Sequence, residues 1–149
     1  MEIVKINKED SLFKEIVDIY FEWWGYKYFD NDSFYDYYKS VLEDKDLPRL
    51  YALLDNNSLV GMYELNDHDR INVSESPFLS NVFVKEEYRG NGYSRLLIND
   101  AIKEAKDLGY ETLYLRSHHE NYYEKFGFVL LKEVETNIGR KRIFGLKLI

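Results

Sequence analysis

The sequence has no cysteine, which removes both a disulfide framework and a thiol nucleophile. It has only two prolines, Pro48 and Pro77. Long apolar runs are missing as well: no stretch of about 18 uncharged apolar residues predicts a membrane span. The N-terminal MEIVKINKED alternates like a strand and lacks the apolar run of a signal peptide. These absences predict a cytoplasmic protein with no membrane partner. Positive charge is also in short supply, with 20 Lys and Arg against 27 Asp and Glu and a net charge of −7. Nucleic-acid backbones are held by clustered cations, so no nucleic-acid partner is expected.

The 149 residues suit one domain, 1–149, with one core. Period-2 and period-3.6 patterns, with their caps and turns, predict the elements. Strands are expected over 2–6, 49–54, 58–65, 78–84, 111–115, 128–134 and 142–148. Helices are expected over 9–24, from a Ser33 or Asp32 cap to about Glu43, after Gly92, and as a short turn over 120–126. Strands and helices interleave while several strands adjoin by hairpins. The fold class is therefore α/β: one mixed sheet of about seven strands flanked by about four helices.

Charge and aromatics are unevenly spread. Residues 1–46 carry twelve of the acids and six Lys, and residues 20–38 hold eleven of the 25 aromatics. Solvated helix faces and core packing account for part of this. Aromatic faces beside carboxylates also suit a cation.

The segment from Ser80 to Leu97 reads strand, RGNGYS, helix. A glycine-rich turn feeding a helix leaves backbone N–H groups unpaired and aimed at one spot, with the helix dipole adding positive charge there. That is an anion site suited to a pyrophosphate. No Gly-Lys-Ser/Thr follows, so it is not a P-loop, and a dinucleotide fingerprint would need a third glycine.

The run VFVKEEYRGNGYSRLL resembles motif A of the GNAT superfamily of N-acetyltransferases, R/Q-x-x-G-x-G/A, with Arg89 and Gly92 in place and Ser94 where Gly or Ala is usual. The run YYEKFGFVLL resembles motif B of the same superfamily. Glu22-Trp23, Pro77-Phe78-Leu79 and His119 are similar to features of a branch of small bacterial members. The resemblance implies a GNAT-like sheet and transfer of an acetyl group from acetyl-CoA to a primary amine in one ternary complex, without a metal. It implies that Val82, Phe83 and Val84 present backbone groups to the pantetheine arm. Arg89, Gly90, Asn91, Gly92, Tyr93 and Ser94 would then surround the pyrophosphate. Asn121 either reaches the cofactor or caps the turn.

Tyr123 stands where the family protonates the leaving thiolate, and Tyr122 fills an apolar slot. Phe78 stands where many relatives place a basic Glu, so Glu64, Glu22 or His119 acting through water are the alternatives. The first two helices and their connection wall the acceptor in this fold, which names Glu22, Trp23 and Tyr26 as substrate-binding. With the local acidity, this predicts a cationic amine docked between Glu22 and Asp32. The acceptor is a small amine or a peptide amine, and a homodimer is compatible. A non-catalytic acyl-CoA-binding regulator and a protein N-terminal or lysine acetyltransferase stay open as alternatives. His118-His119 lacks metal-ligand spacing.

Overall fold

A computed structural model describes residues 1–42 and 46–149. Seven strands form one sheet in the order β1-β2-β3-β4-β5-β7-β6. They are β1 (Glu2–Ile6), β2 (Arg49–Asp55), β3 (Ser58–Asn66), β4 (Phe78–Val84), β5 (Thr112–Arg116), β6 (Val129–Thr136) and β7 (Gly139–Lys147). All neighbours pair antiparallel except β4 and β5.

Three α-helices occur among the described residues: α1 (Ser11–Trp23), α2 (Asn31–Val41) and α3 (Tyr93–Asp107). The fourth helix expected from sequence is a single 3-10 turn, Tyr123–Phe126, stopped by Gly127 at φ 99°. The end expected for α2 at Glu43 lies outside the described residues. Asp10 caps α1 by accepting from the Leu12 N–H at 3.0 Å. Asp30, not Ser33 or Asp32, caps α2, accepting from the Ser33 N–H at 2.9 Å. Ser33 is the donor of that bond, three positions into the turn.

The sheet is covered on both faces, and β2 shows why its sequence is an unbroken apolar run, LYALL. Leu50, Ala52 and Leu54 pack with Phe13, Tyr20 and Phe34 of α1 and α2. The alternate residues Tyr51 and Leu53 pack with Leu97 and Ala101 of α3. Buried positions Phe13, Ile16, Val17 and Tyr20 of α1 follow helical spacing. In α3 the small Ala101 and Ala105 are fully buried, which lets the helix lie close on the sheet, while Leu96 turns outward and is 46% exposed. Much of the aromatic segment is core: Trp24 meets Phe34 edge-on at 5.0 Å, and Phe34 meets Tyr38 at 5.1 Å.

Two irregularities open the sheet at its centre. β4 and β5 run parallel but pair at one position only, Phe78 with Tyr114. Beyond that point they separate, so the β5-facing edge of β4 has no strand partner. The second irregularity is a bulge in β4, where the register with β3 passes from Met62–Phe83 to Glu64–Ser80. Asn81 takes the strain in the left-handed region at φ 54°. Its carbonyl accepts a bond from the Tyr20 hydroxyl at 3.3 Å.

Candidate active site

The glycine-rich turn leads directly into α3. Gly92 is the N-cap of α3 at φ 79°, and no side chain caps the helix. The first N–H groups of a 15-residue helix are therefore free to bind an anion. Asn91 does not face this groove; its side-chain amide donates to the Tyr88 carbonyl at 3.0 Å and ties the turn down. Arg89 folds back, its Nε donating to the Val84 carbonyl at 2.8 Å.

A cavity of about 490 Å³ runs from this turn along β4. Val82, Phe83 and Val84 line it from the strand, and Arg89, Gly92 and Ser94 from the turn. Gly90 and Tyr93 complete its rim. An unpaired strand edge leading to an uncapped helix start fits a pantetheine arm followed by a pyrophosphate.

A second cavity, of about 600 Å³, opens at the point where β4 and β5 part. Leu79 and Leu115 line it on the α3 face, and Ser80 and Arg116 on the other, so it crosses the gap. Trp23 and Val82 are shared with the first cavity and join the two. Tyr123 and His119 line it near that junction.

The Tyr123 ring is gripped edge-on by Tyr122 at 5.0 Å and Phe128 at 6.1 Å. Burial first, then the neighbouring Tyr122, pushes its hydroxyl up to about 12. It therefore holds its proton at any physiological pH. Tyr122 is more than packing, because its hydroxyl and the Ser94 Oγ share a hydrogen bond of 2.9 Å. That bond ties the 3-10 turn to the start of α3. The apolar slot expected for Tyr122 is therefore only part of its role.

Glu64 is 3% exposed. It accepts bonds from the Tyr38 hydroxyl at 3.0 Å, the Asn81 amide at 3.3 Å and the Asn66 amide. Burial pushes its carboxyl up to about 7, with the Tyr38 bond opposing and the Asp69 charge reinforcing the rise. Glu64 does not line the cavity itself, but its partner Asn81 does. Sequence periodicity could not find this network, because Tyr38, Glu64 and Asn81 come from α2, β3 and the bulge.

The residues expected to bind the acceptor separate. Trp23 lines the large cavity, its ring 5.4 Å from Phe83. Glu22 lines a separate cavity with Phe83, Lys85 and Glu86. Tyr26 is 55% exposed and lines none of these cavities. Asp30 serves as a helix cap. The Asn121 backbone N–H donates to the Glu124 carboxylate at 3.3 Å; its side chain does not cap the 3-10 turn, and it lines none of these cavities.

Two residues not singled out from sequence take their place. Asp69 and Arg70 are consecutive left-handed residues, at φ 46° and 59°, a conformation such side chains rarely adopt. The turn buries Asp69, whose two oxygens accept from Ser80 Oγ at 2.7 Å and Arg116 Nε at 2.6 Å. It also lays the Arg70 guanidinium over Trp24 at 3.9 Å.

The sequence model of the Acetyltransferase (GNAT) family matches residues 10–128. The chain belongs to the GNAT family. Solved structures share its fold over nearly the whole length. An aminoglycoside 6'-N-acetyltransferase complexed with coenzyme A has a TM-score of 0.75 at 18% identity, covering 100% of this chain and 98% of that one. An N-acetyltransferase from Staphylococcus aureus Mu50 has a TM-score of 0.75 at 21% identity, covering 99% and 98%. The spermidine/spermine N-acetyltransferase SpeG from Vibrio cholerae has a TM-score of 0.71 at 20% identity, covering 99% and 92%. No curated protein sequence matches the chain. No helix among the described residues is long and apolar enough to cross a membrane.

Proposed function

We propose that this GNAT enzyme transfers an acetyl group from acetyl-CoA to a primary amine by direct attack in a ternary complex. The observation that carries the reading is the placement of Tyr123. Its protonated, fixed hydroxyl-bearing ring lines the second cavity together with Val82, which also lines the groove from the uncapped α3 start.

Acetyl-CoA supplies the acetyl group as a thioester. The first N–H groups of α3 and the Arg89 guanidinium hold its pyrophosphate. The free edge of β4 pairs with the pantetheine arm, and the Val84 N–H, which points away from β3, donates to the thioester carbonyl, where negative charge develops. An alkylammonium has a pKa near 10.4 and has to lose a proton before it can attack. Glu64, with a carboxyl near neutrality, takes that proton through a water at Asn81, as a base matched to pH 7 should. His119 is the second candidate, placed at the mouth of the same cavity. Tyr123 gives its proton to the departing thiolate and is reprotonated by the second proton that the nitrogen sheds as the amide forms.

Two measurements test this. CoA and acetyl-CoA raise the melting temperature of the native chain, since ligand binding to the folded state alone adds stability. Gly92→Asp abolishes that shift, because a carboxylate then competes for the helix start. The purified chain also releases CoA thiol from acetyl-CoA when given an accepted amine. A thermal shift without thiol release from any amine marks a binding protein and removes the transferase reading. An unchanged shift in folded Gly92→Asp removes the placement of the pyrophosphate.

A further inference from the structure

The large cavity has the wrong charge for a cationic acceptor. Lys27, Arg70, Arg116, Lys141 and Arg142 all line it, and Asp69 is the sole carboxylate among its lining residues. In a chain with 27 acids and 20 bases, a chance lining would lean acidic, so the convergence of five cations on one cleft is specific.

The single carboxylate offsets Arg116 alone, in a 2.6 Å ion pair, while its other oxygen accepts from Ser80 Oγ, so four cations are left over. Arg142 has only a 3.8 Å contact with the half-exposed Glu133. Lys27, Arg70 and Lys141 form no ion pair with any described residue. Like charges gathered in a cleft repel one another, and an anion entering it relieves that repulsion. The Arg70 guanidinium carbon sits 3.9 Å from the centre of the Trp24 ring, which restrains a planar fork of the kind that grips carboxylate or phosphate oxygens.

The donor's phosphates do not explain these charges. The α3 start and Arg89 serve them in the other groove, which shares only Trp23 and Val82 with this one. A volume of about 600 Å³ suits a small molecule.

We infer that the acceptor is an anionic amine, a small molecule whose carboxylate or phosphate is held by Arg70, Lys141 and Arg142 while its amino group faces the thioester. This rests on the transferase reading above and reverses the charge expected from the acidic first third of the chain. That acidity does not converge on this cavity: Glu22 lies outside it and Asp30 is spent on capping a helix.

The test is thiol release from acetyl-CoA with matched acceptors. One arm pairs carboxylate amines such as β-alanine and glutamate with their methyl esters. A second pairs phosphoethanolamine with ethanolamine. A third offers spermidine and an aminoglycoside. The anionic member of at least one pair is expected to exceed its neutral counterpart about tenfold or more in kcat/KM, and the arm that shows it identifies the oxyanion. Arg70→Gln and Lys141→Gln, each checked for folding by its CoA-induced thermal shift, raise KM for that acceptor about tenfold. They leave KM for acetyl-CoA unchanged. Highest turnover with spermidine or the aminoglycoside, or an acceptor KM unmoved in both variants, overturns the inference while the transferase reading stands. Absence of thiol release with every amine overturns both.

Discussion

Tyr123→Phe is expected to lower kcat about 10²–10⁴-fold, the usual loss when a positioned general acid is removed, with little change in acetyl-CoA affinity. The substitution deletes one oxygen and keeps the ring, so the edge-on contacts with Tyr122 at 5.0 Å and Phe128 at 6.1 Å persist. A hydroxyl pushed up to about 12 is a weaker acid than an ordinary phenol, and a free thiol titrates nearer about 8.5. In water that difference would make the proton transfer uphill. The burial that raises the tyrosine also raises a thiolate released beside it, because both charged forms lose solvation. Tyr122→Phe is the control. Its hydroxyl is bonded to Ser94 at 2.9 Å, so its loss loosens the turn and is expected to cost less than about tenfold. Steady-state kinetics at saturating acetyl-CoA decide the matter. A Tyr123→Phe enzyme with full kcat would show that the thiolate leaves unassisted or takes its proton from water.

The parts of this molecule that were legible in its sequence are those governed by local rules. Strands β1 and β4 fall where alternation and Pro77 place them. Helix α3 starts at the glycine turn and stops before Gly109 at φ 90°, because glycine at both ends is what the backbone requires there. Val82, Phe83, Val84 and the turn residues other than Asn91 line one groove because the strand runs directly into that turn.

The acceptor side was not. The charge of the large cavity is set by Lys27, Arg70, Arg116, Lys141 and Arg142, which come from four separate stretches of the chain and meet where β4 and β5 separate. The acids of residues 1–46 made a stronger signal by count, yet counting cannot tell a capping carboxylate such as Asp30 from one that faces a ligand. Asp69 and Arg70 were hidden in a polar loop whose left-handed pair had no glycine to announce it.

Glu64→Gln is expected to alter both the pH dependence of stability and the pH dependence of catalysis. The carboxyl is pushed up from 4.5 to about 7, chiefly by burial. Between those values the native protein holds a proton that the unfolded chain has released. Stability therefore falls as pH rises through this window, by about 1.4 kcal/mol per unit at most and on the order of 3 kcal/mol in all, and is level above it. The Gln variant lacks this slope, so its stability relative to wild type improves from pH 4.5 to pH 8. It can keep the bonds from Tyr38 and Asn81 at one oxygen, and turning the Asn66 amide over satisfies the other position. Denaturant unfolding at a series of pH values reads the difference directly. Parallel curves for the two proteins would mean that Glu64 is not perturbed in the native state. Catalysis responds in the opposite sense. As the base, Glu64 acts only when ionised, so wild-type kcat/KM rises through about pH 7, while Glu64→Gln loses about 10²-fold and the limb due to this group. An acceptor's own ammonium can produce a rising limb too. An amine already neutral at the assay pH separates the two causes, since it needs no deprotonation before attack and should narrow the gap between variant and wild type. A variant that keeps full activity toward strongly basic amines would eliminate Glu64 as the base and leave His119 as the residue to test.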